Sequence, residues 1–117
     1  MARNILKAEG QNLTNFPQLS ESYSDISIFN NNIEWLPETL WKQTELKILN
    51  VSSNKINQIS PDISNLIKLE MIDLGHNQIA EIPSSIGSLP NLWSYLYLHN
   101  NKIKKLPAEI TQLIHLE

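Results

Sequence analysis

Residues 69–91, LEMIDLGHNQIAEIPSSIGSLPN, decide the fold of this chain. Large apolar residues recur through the stretch, and one asparagine, Asn77, is placed among them. The preceding 23 residues, LKILNVSSNKINQISPDISNLIK, carry apolar residues and Asn54 at the same places. Self-similar units of this length are typical of repeat proteins, in which each unit buries its apolar face against its neighbours. The sequence therefore predicts a stack of similar turns.

One polar residue marks each repeat and gives the number of turns. These residues are spaced by 20, 23, 23 and 24 positions, and they are Gln11, Asn31, Asn54, Asn77 and Asn101. About five repeats are predicted. The first, residues 1–20, is atypical because glutamine replaces asparagine and its return is short, as is usual for a terminal repeat. The last residues, 116–117, read as the opening of a sixth strand with no C-terminal cap.

Each repeat combines a strand with a proline-containing return. Alternating segments such as residues 49–51 and 72–74 predict short strands whose alternate side chains point inward. Successive strands must be parallel, and parallel crossovers are right-handed. A proline begins each return and predicts a short helix or a 3₁₀ turn on the convex side. These prolines are Pro37, Pro61, Pro83 and Pro107.

The pattern LxxLxLxxNxI, followed by the returns LPETLWKQ, IPSSIGSL and LPAEITQL, resembles the leucine-rich repeat family over nearly the whole chain. The returns are similar to the intracellular Ras-group type, which is also common in bacterial proteins. The resemblance implies an α/β fold: one domain, residues 1–117, forming a right-handed solenoid with a concave parallel sheet. It also implies protein binding on that sheet and no catalysis.

The fifth repeat holds one residue more than this pattern. Either Trp93 points inward and Leu92 is extra, or Leu92 takes the first apolar position and the extra residue follows it. A bulge near residues 92–94 absorbs the insertion in both cases.

Composition excludes several classes of protein. The chain of 117 residues has no cysteine, so it forms no disulfide, thiolate metal site or cysteine nucleophile. Its net charge of −3 without a basic stripe argues against nucleic-acid binding. No apolar run approaches the ~18 residues of a membrane span, and no signal peptide is recognisable. We expect a cytoplasmic protein, the alternative being a bacterial effector exported without a cleavable signal.

The recurring asparagines are interpreted as structural. A side-chain amide has two donors and an acceptor, and can satisfy backbone groups that a sharp turn leaves unpaired. Stacked in successive turns, they form a ladder that consists of Asn31, Asn54, Asn77 and Asn101.

The outward positions of the strands carry the predicted partner-binding site. Alternation and the repeat spacing align one residue per strand in each column, and the third column contains Glu9, Phe29, Ser52, Gly75 and His99. An interface centre is typically rich in tyrosine and methionine. The predicted site consists of Ile48, Asn50, Met71, Asp73, Tyr95, Tyr97 and His99. As an outward residue, Asp73 is expected to contribute no more than about 0.5 kcal/mol to stability.

Other candidate sites have less support. His76 and His99 are expected to be neighbours, but no carboxylate pair joins them at ligand spacing, so neither a metal site nor a catalytic site is predicted, and no cofactor. Exposed Trp35 is either a second contact or packs against Trp41.

Two alternative functions stay open beside protein binding. One is a substrate-targeting fragment of a larger enzyme, such as a bacterial ubiquitin ligase effector. The other is a structural, self-assembling repeat unit, in which the uncapped C-terminal repeat forms a homo-oligomer.

Overall fold

A computed structural model describes residues 4–92 and 95–112 of the chain. In these ranges the backbone forms five strands of three residues each, joined into one parallel sheet in chain order. The strands are β1 (Ile5–Lys7), β2 (Asp25–Ser27), β3 (Ile48–Asn50), β4 (Met71–Asp73) and β5 (Tyr95–Tyr97). The prediction of about five parallel strands in a solenoid is confirmed.

The strand register is the one that the repeat spacing predicts. Ile48 of β3 lies opposite Met71 of β4, which lies opposite Tyr95 of β5. Two positions further on, Asn50, Asp73 and Tyr97 are aligned in the same way. Outward side chains from three strands therefore lie side by side.

The convex side carries short 3₁₀ helices, as the proline positions predict. Pro61 is the first residue of its helix, and the preceding Ser60 accepts a hydrogen bond from Asp62 N at 3.0 Å. Pro37 and Pro83 directly precede theirs. The fixed φ of proline favours the first turn, where its missing N–H is not needed. The helices span Glu38–Lys42, Pro61–Asn65, Ser84–Ser88 and Ala108–Gln112.

The core lies between sheet and helices and runs through all the repeats. The middle residue of each strand from β2 to β5 is almost fully buried, and these residues are Ile26, Leu49, Ile72 and Leu96. Each packs on the equivalent residue of the next turn, because the register places them opposite one another. Stability therefore depends on stacking between repeats.

Gln43 fills a core position that leucine occupies in the next repeats. Its side chain is buried; its Oε1 accepts a hydrogen bond from Tyr23 N at 2.9 Å, and its Nε2 donates to Glu21 O at 3.0 Å. The short first return brings these backbone groups beside the core, where they need a polar partner. Gln43 is thus a specific connection between the first two repeats.

In the fifth repeat Leu92 takes the first apolar position and the extra residue follows it, which is the second of the two predicted arrangements. Leu92 is buried, like Leu69 one repeat earlier. Strand β4 begins two residues after Leu69, whereas β5 begins three residues after Leu92. The extra residue therefore falls at positions 93–94, outside the described residues. The anticipated sixth strand and uncapped end, residues 113–117, also lie outside them.

Candidate functional site

The asparagine ladder lies beneath the carboxyl ends of the strands. Asn77 Nδ2 is 3.1 Å from each of three carbonyl oxygens, those of Val51, Leu74 and Gly75, and its Oδ1 accepts from Ile56 N at 3.0 Å. Each ladder amide thus joins its own turn to the preceding one. Equivalent bonds are made by Asn31, Asn54 and Asn101.

A left-handed residue precedes every ladder asparagine. The φ angle at His76 is 55°, and at Ser53 it is 56°. Such angles are uncommon outside glycine and indicate a turn imposed by its surroundings. The sharp turn directs the carbonyl groups inward, where the amides bind them. The same conformation is found at Asn30 and Asn100.

The predicted partner-binding residues lie together on the concave face. Tyr95 is 49% exposed and His99 is also exposed, while the other residues of the predicted site are half-buried. Parallel strands are ~4.8 Å apart, so aligned side chains on β3, β4 and β5 are immediate neighbours. The half-buried residues are Ile48, Asn50, Met71, Asp73 and Tyr97.

Aromatic rings form a row along β5 and across to the turn after β4. The rings of Tyr95 and Tyr97 are stacked, with centroids 5.6 Å apart and planes at 7°. His99 meets Tyr97 edge-on at 6.4 Å, and His76 meets His99 edge-on at 4.8 Å. Stacked and edge-to-face pairs are the favoured geometries for aromatic rings. We call these four residues the aromatic row.

Gly75 holds one end of the aromatic row in place by leaving space for it. A Cβ atom at this position would lie 2.8 Å from both Cε1 and Nε2 of His99. Such an approach is far inside van der Waals contact, so the imidazole ring occupies the place of a side chain. No special φ is involved at this glycine; its contribution is the close approach.

Asp73 and Asn50 have a structural contact that the sequence analysis missed. Asp73 Oδ1 accepts a hydrogen bond from Gly75 N at 2.9 Å, and Asn50 Oδ1 accepts from Ser52 N at 3.0 Å. Both are Asx turns, in which a short polar side chain bonds the backbone two residues on. The available signal was an Asx residue at the end of β3 and another at the end of β4.

The third outward column is only partly exposed, which corrects the expectation from alternation. Ser52 is 4% exposed and Gly75 is also buried, whereas Phe29 and His99 are exposed. The reason is local: the strands end before this column, and Ser52 Oγ turns back to donate to Asn50 Oδ1 at 2.6 Å.

The concave face differs at its N-terminal end, where polar side chains bond to one another. Ser27 Oγ donates to Glu9 Oε2, and Lys7 Nζ lies 3.8 Å from Glu9 Oε1. Ser24 Oγ donates to Asp25 Oδ1 at 2.8 Å. The two ends of the concave face therefore differ, with hydrogen-bonded polar side chains at the N-terminal end and the aromatic row at the C-terminal end.

The histidine pair is not part of a metal-binding cluster within the described residues. Over residues 4–92 and 95–112, no cluster of three or more His, Cys, Asp or Glu side chains is arranged to hold a metal ion. His76 Nδ1 lies 2.9 Å from Asn100 Nδ2, so a neighbouring turn already binds this ring.

A stack of short parallel strands with convex 3₁₀ helices and a buried asparagine ladder defines the class of solenoid repeat proteins. The chain belongs to the leucine-rich repeat family, whose model matches residues 44–103, more than half of the chain. Its subtype, intracellular Ras-group or bacterial, stays a prediction.

Similar proteins include two much longer ones. A subunit of the volume-regulated anion channel of Rattus norvegicus is 35% identical over 77% of this chain, and adenylate cyclase of Schizosaccharomyces pombe is 35% identical over 82%. This chain spans only 11% and 6% of those proteins. A solved leucine-rich repeat protein of Leptospira interrogans superposes with a TM-score of 0.71 and 32% identity, covering 81% of this chain and 24% of that one.

These similarities define the function only in general terms. The leucine-rich repeat fold is in general a protein-interaction module and is typically not catalytic. In the part of the chain that the structure describes, no helix has the length and apolar character needed to cross a membrane.

Proposed function

We propose that this chain is a non-catalytic interaction module that binds a protein partner through its concave sheet. The binding surface is centred on Met71, Asp73, Tyr95, Tyr97 and His99. Ile48 and Asn50 extend it onto β3. The observation that carries the proposal is the aromatic row, in which rings from β5 and the turn after β4 support one another.

The aromatic row suits binding because its rings are already held in position. Tyrosine is enriched among residues that dominate interface energies, and it offers a large contact area with few rotatable bonds. Side chains that are ordered before binding lose less conformational entropy when a partner arrives. The stacked Tyr95–Tyr97 pair and the His99 ring on Gly75 meet this condition.

The test uses affinity capture followed by titration of the purified partner. We expect a Met71→Ala, Tyr97→Ala double variant to capture much less partner than the wild-type chain. Ile67→Ala is the matched control, because Ile67 is an exposed apolar residue between the 3₁₀ helix Pro61–Asn65 and β4. Equal affinity of the double variant and the control would move the binding site away from the concave sheet.

A second candidate function is that of a targeting segment within a larger enzyme. The observation in its favour is that an adenylate cyclase contains a similar segment amounting to 6% of its length. If so, a longer chain would act on the partner that this segment binds, and the isolated segment would bind without reaction. The cytoplasmic location and self-association through the C-terminal repeat stay predictions.

A further inference from the structure

A cavity of about 300 Å³ opens on the flank of the solenoid, between the second and third repeats. It lies where the chain runs from the asparagine ladder to the convex helices. Every residue that lines it is uncharged, and Trp35, Trp41, Ile59 and Pro61 are among them. This surface is separate from the concave sheet.

The repeats produce similar depressions further along, but with different chemistry. The next one is about 520 Å³ and includes Glu81, and the one after that is about 300 Å³ and includes both Glu81 and Lys105. The depression itself therefore follows from the repeat architecture. The first one is distinguished by its aromatic, uncharged lining.

Two tryptophans in one repeat create this difference. Trp35 occupies the position of Gln58, Glu81 and Lys105 in the following repeats. Trp41 occupies the position of Ser64 and Gly87. Trp41 is 4% exposed and packs in the core, but Trp35 is 58% exposed. Burial in the core therefore explains why position 41 holds a tryptophan, but it does not explain the tryptophan at position 35.

Trp41, one of the residues that line the cavity, carries an unused donor in its indole N–H. It has no hydrogen-bond partner, yet no side-chain nitrogen or oxygen of the described residues is both buried and unpaired. This N–H must therefore reach solvent, and Trp41 is one of the residues that line the cavity. An indole only donates, so a complementary ligand offers acceptors.

We propose that this cavity binds an extended, proline-rich segment of a partner protein. Such segments form a polyproline II helix with no internal hydrogen bonds, so their carbonyl groups are free to accept. Proline has no N–H, which matches a site whose tryptophans only donate. Grooves lined by aromatic rings bind these segments in several domain classes. An uncharged cavity also avoids the desolvation penalty that a charged ligand would incur there.

The size of the cavity fits a few residues of chain. Ligand pockets range from about 300 to 1,000 Å³, so this one is near the lower limit. Trp35, at the rim, extends the apolar surface beyond the cavity and gives a pyrrolidine ring a flat face to pack on. A folded domain would need a larger contact area.

The experiment titrates the full chain with a synthetic oligoproline peptide and follows tryptophan fluorescence. We expect saturable binding, and none with a glycine–serine peptide of equal length. Trp35→Gln, which installs the residue of the next repeat, should weaken binding at least about tenfold because tryptophan is a typical hot-spot residue. Trp41→Phe keeps an aromatic ring but removes the donor, and should weaken binding several-fold. Glu81→Gln, in the neighbouring depression, should leave binding unchanged.

The proposal would be overturned by the absence of saturable oligoproline binding, by equal affinity in Trp35→Gln, or by equal binding of the glycine–serine peptide. Concentration-dependent dimerisation that Trp35→Gln abolishes would show that a second copy of the chain occupies the cavity, and would also contradict it. Circular dichroism of each variant separates loss of binding from loss of folding.

Discussion

The asparagine ladder and the aromatic row occur in neighbouring positions of the same turns but make different contacts. The ladder side chains bond the backbone inside the stack, whereas the rings of the aromatic row pack on one another on the concave side. Asn77 bonds three carbonyl groups and one N–H of the backbone, and it is buried. Tyr95 and Tyr97 contact each other on the concave side. The inward row therefore holds the turns together, whereas the outward row presents side chains that we expect folding not to require.

Asp73 shows that the separation between the two rows is incomplete. It faces the concave side like Tyr97, its partner in the strand register, yet its carboxylate bonds the backbone of Gly75. One side chain can thus stabilise the turn and lie within the proposed binding surface. Variants that separate stabilisation from binding therefore test the comparison between the asparagine ladder and the aromatic row.

Asn77→Ala should cause the largest loss of stability. It leaves Ile56 N without an acceptor and removes one of the two donors from each of three carbonyl groups, those of Val51, Leu74 and Gly75. One unpaired buried group typically costs about 1 to 3 kcal/mol. We expect the free energy of unfolding to fall by about 1 to 3 kcal/mol in a urea melt. Asn57→Ala is the control, since Asn57 is exposed in the neighbouring repeat. If the two variants have equal midpoints, the ladder does not hold the turns together.

Gln43→Leu should destabilise the chain although it installs the residue that the repeat pattern favours. The loss is expected to be about 1 to 2 kcal/mol, because Tyr23 N and Glu21 O lose their partner. Exposed Gln78 provides the control, with Gln78→Leu changing stability by less than about 0.5 kcal/mol. A Gln43→Leu variant with a raised urea midpoint would show that core packing outweighs these hydrogen bonds.

Asp73→Ala should cost about 1 kcal/mol, more than its outward position suggests, because Gly75 N loses its acceptor. Asp73→Asn keeps an oxygen at the same place and should restore most of the stability. The comparison is made by thermal unfolding. No difference between the two variants would mean that the Asx turn contributes nothing.

Gly75→Ala should affect the binding surface rather than the fold. The new Cβ meets the far end of the His99 side chain, which can rotate away, and lies 3.1 Å from Asp73 Oδ1, which must shift slightly. We therefore expect a stability change within about 1 kcal/mol. The ring would leave its place beside Tyr97, detectable as a shift of the His99 imidazole resonances by NMR. An unmoved imidazole would contradict the close packing described for Gly75.

The repeated pattern made the fold predictable, because each strand, ladder asparagine and proline recurs at a fixed spacing. Gln43 was not predictable in its role, since its hydrogen bonds depend on the short return of the first repeat. The Asx turns at Asn50 and Asp73 bend the chain directly after β3 and β4. A prediction from alternation alone therefore overestimated the exposure of Ser52 and Gly75 in the third column. The aromatic row depends on ring orientations and on the space at Gly75, which sequence spacing does not specify.

Tyr97→Ala, measured for both stability and affinity, tests the central claim that outward residues bind and inward residues fold. The account predicts that partner affinity falls by about 2 kcal/mol or more, because Tyr97 lies in the middle of the aromatic row. It predicts a change in the free energy of unfolding of less than about 1 kcal/mol. Undiminished affinity together with a loss of stability as large as that of Asn77→Ala would contradict it.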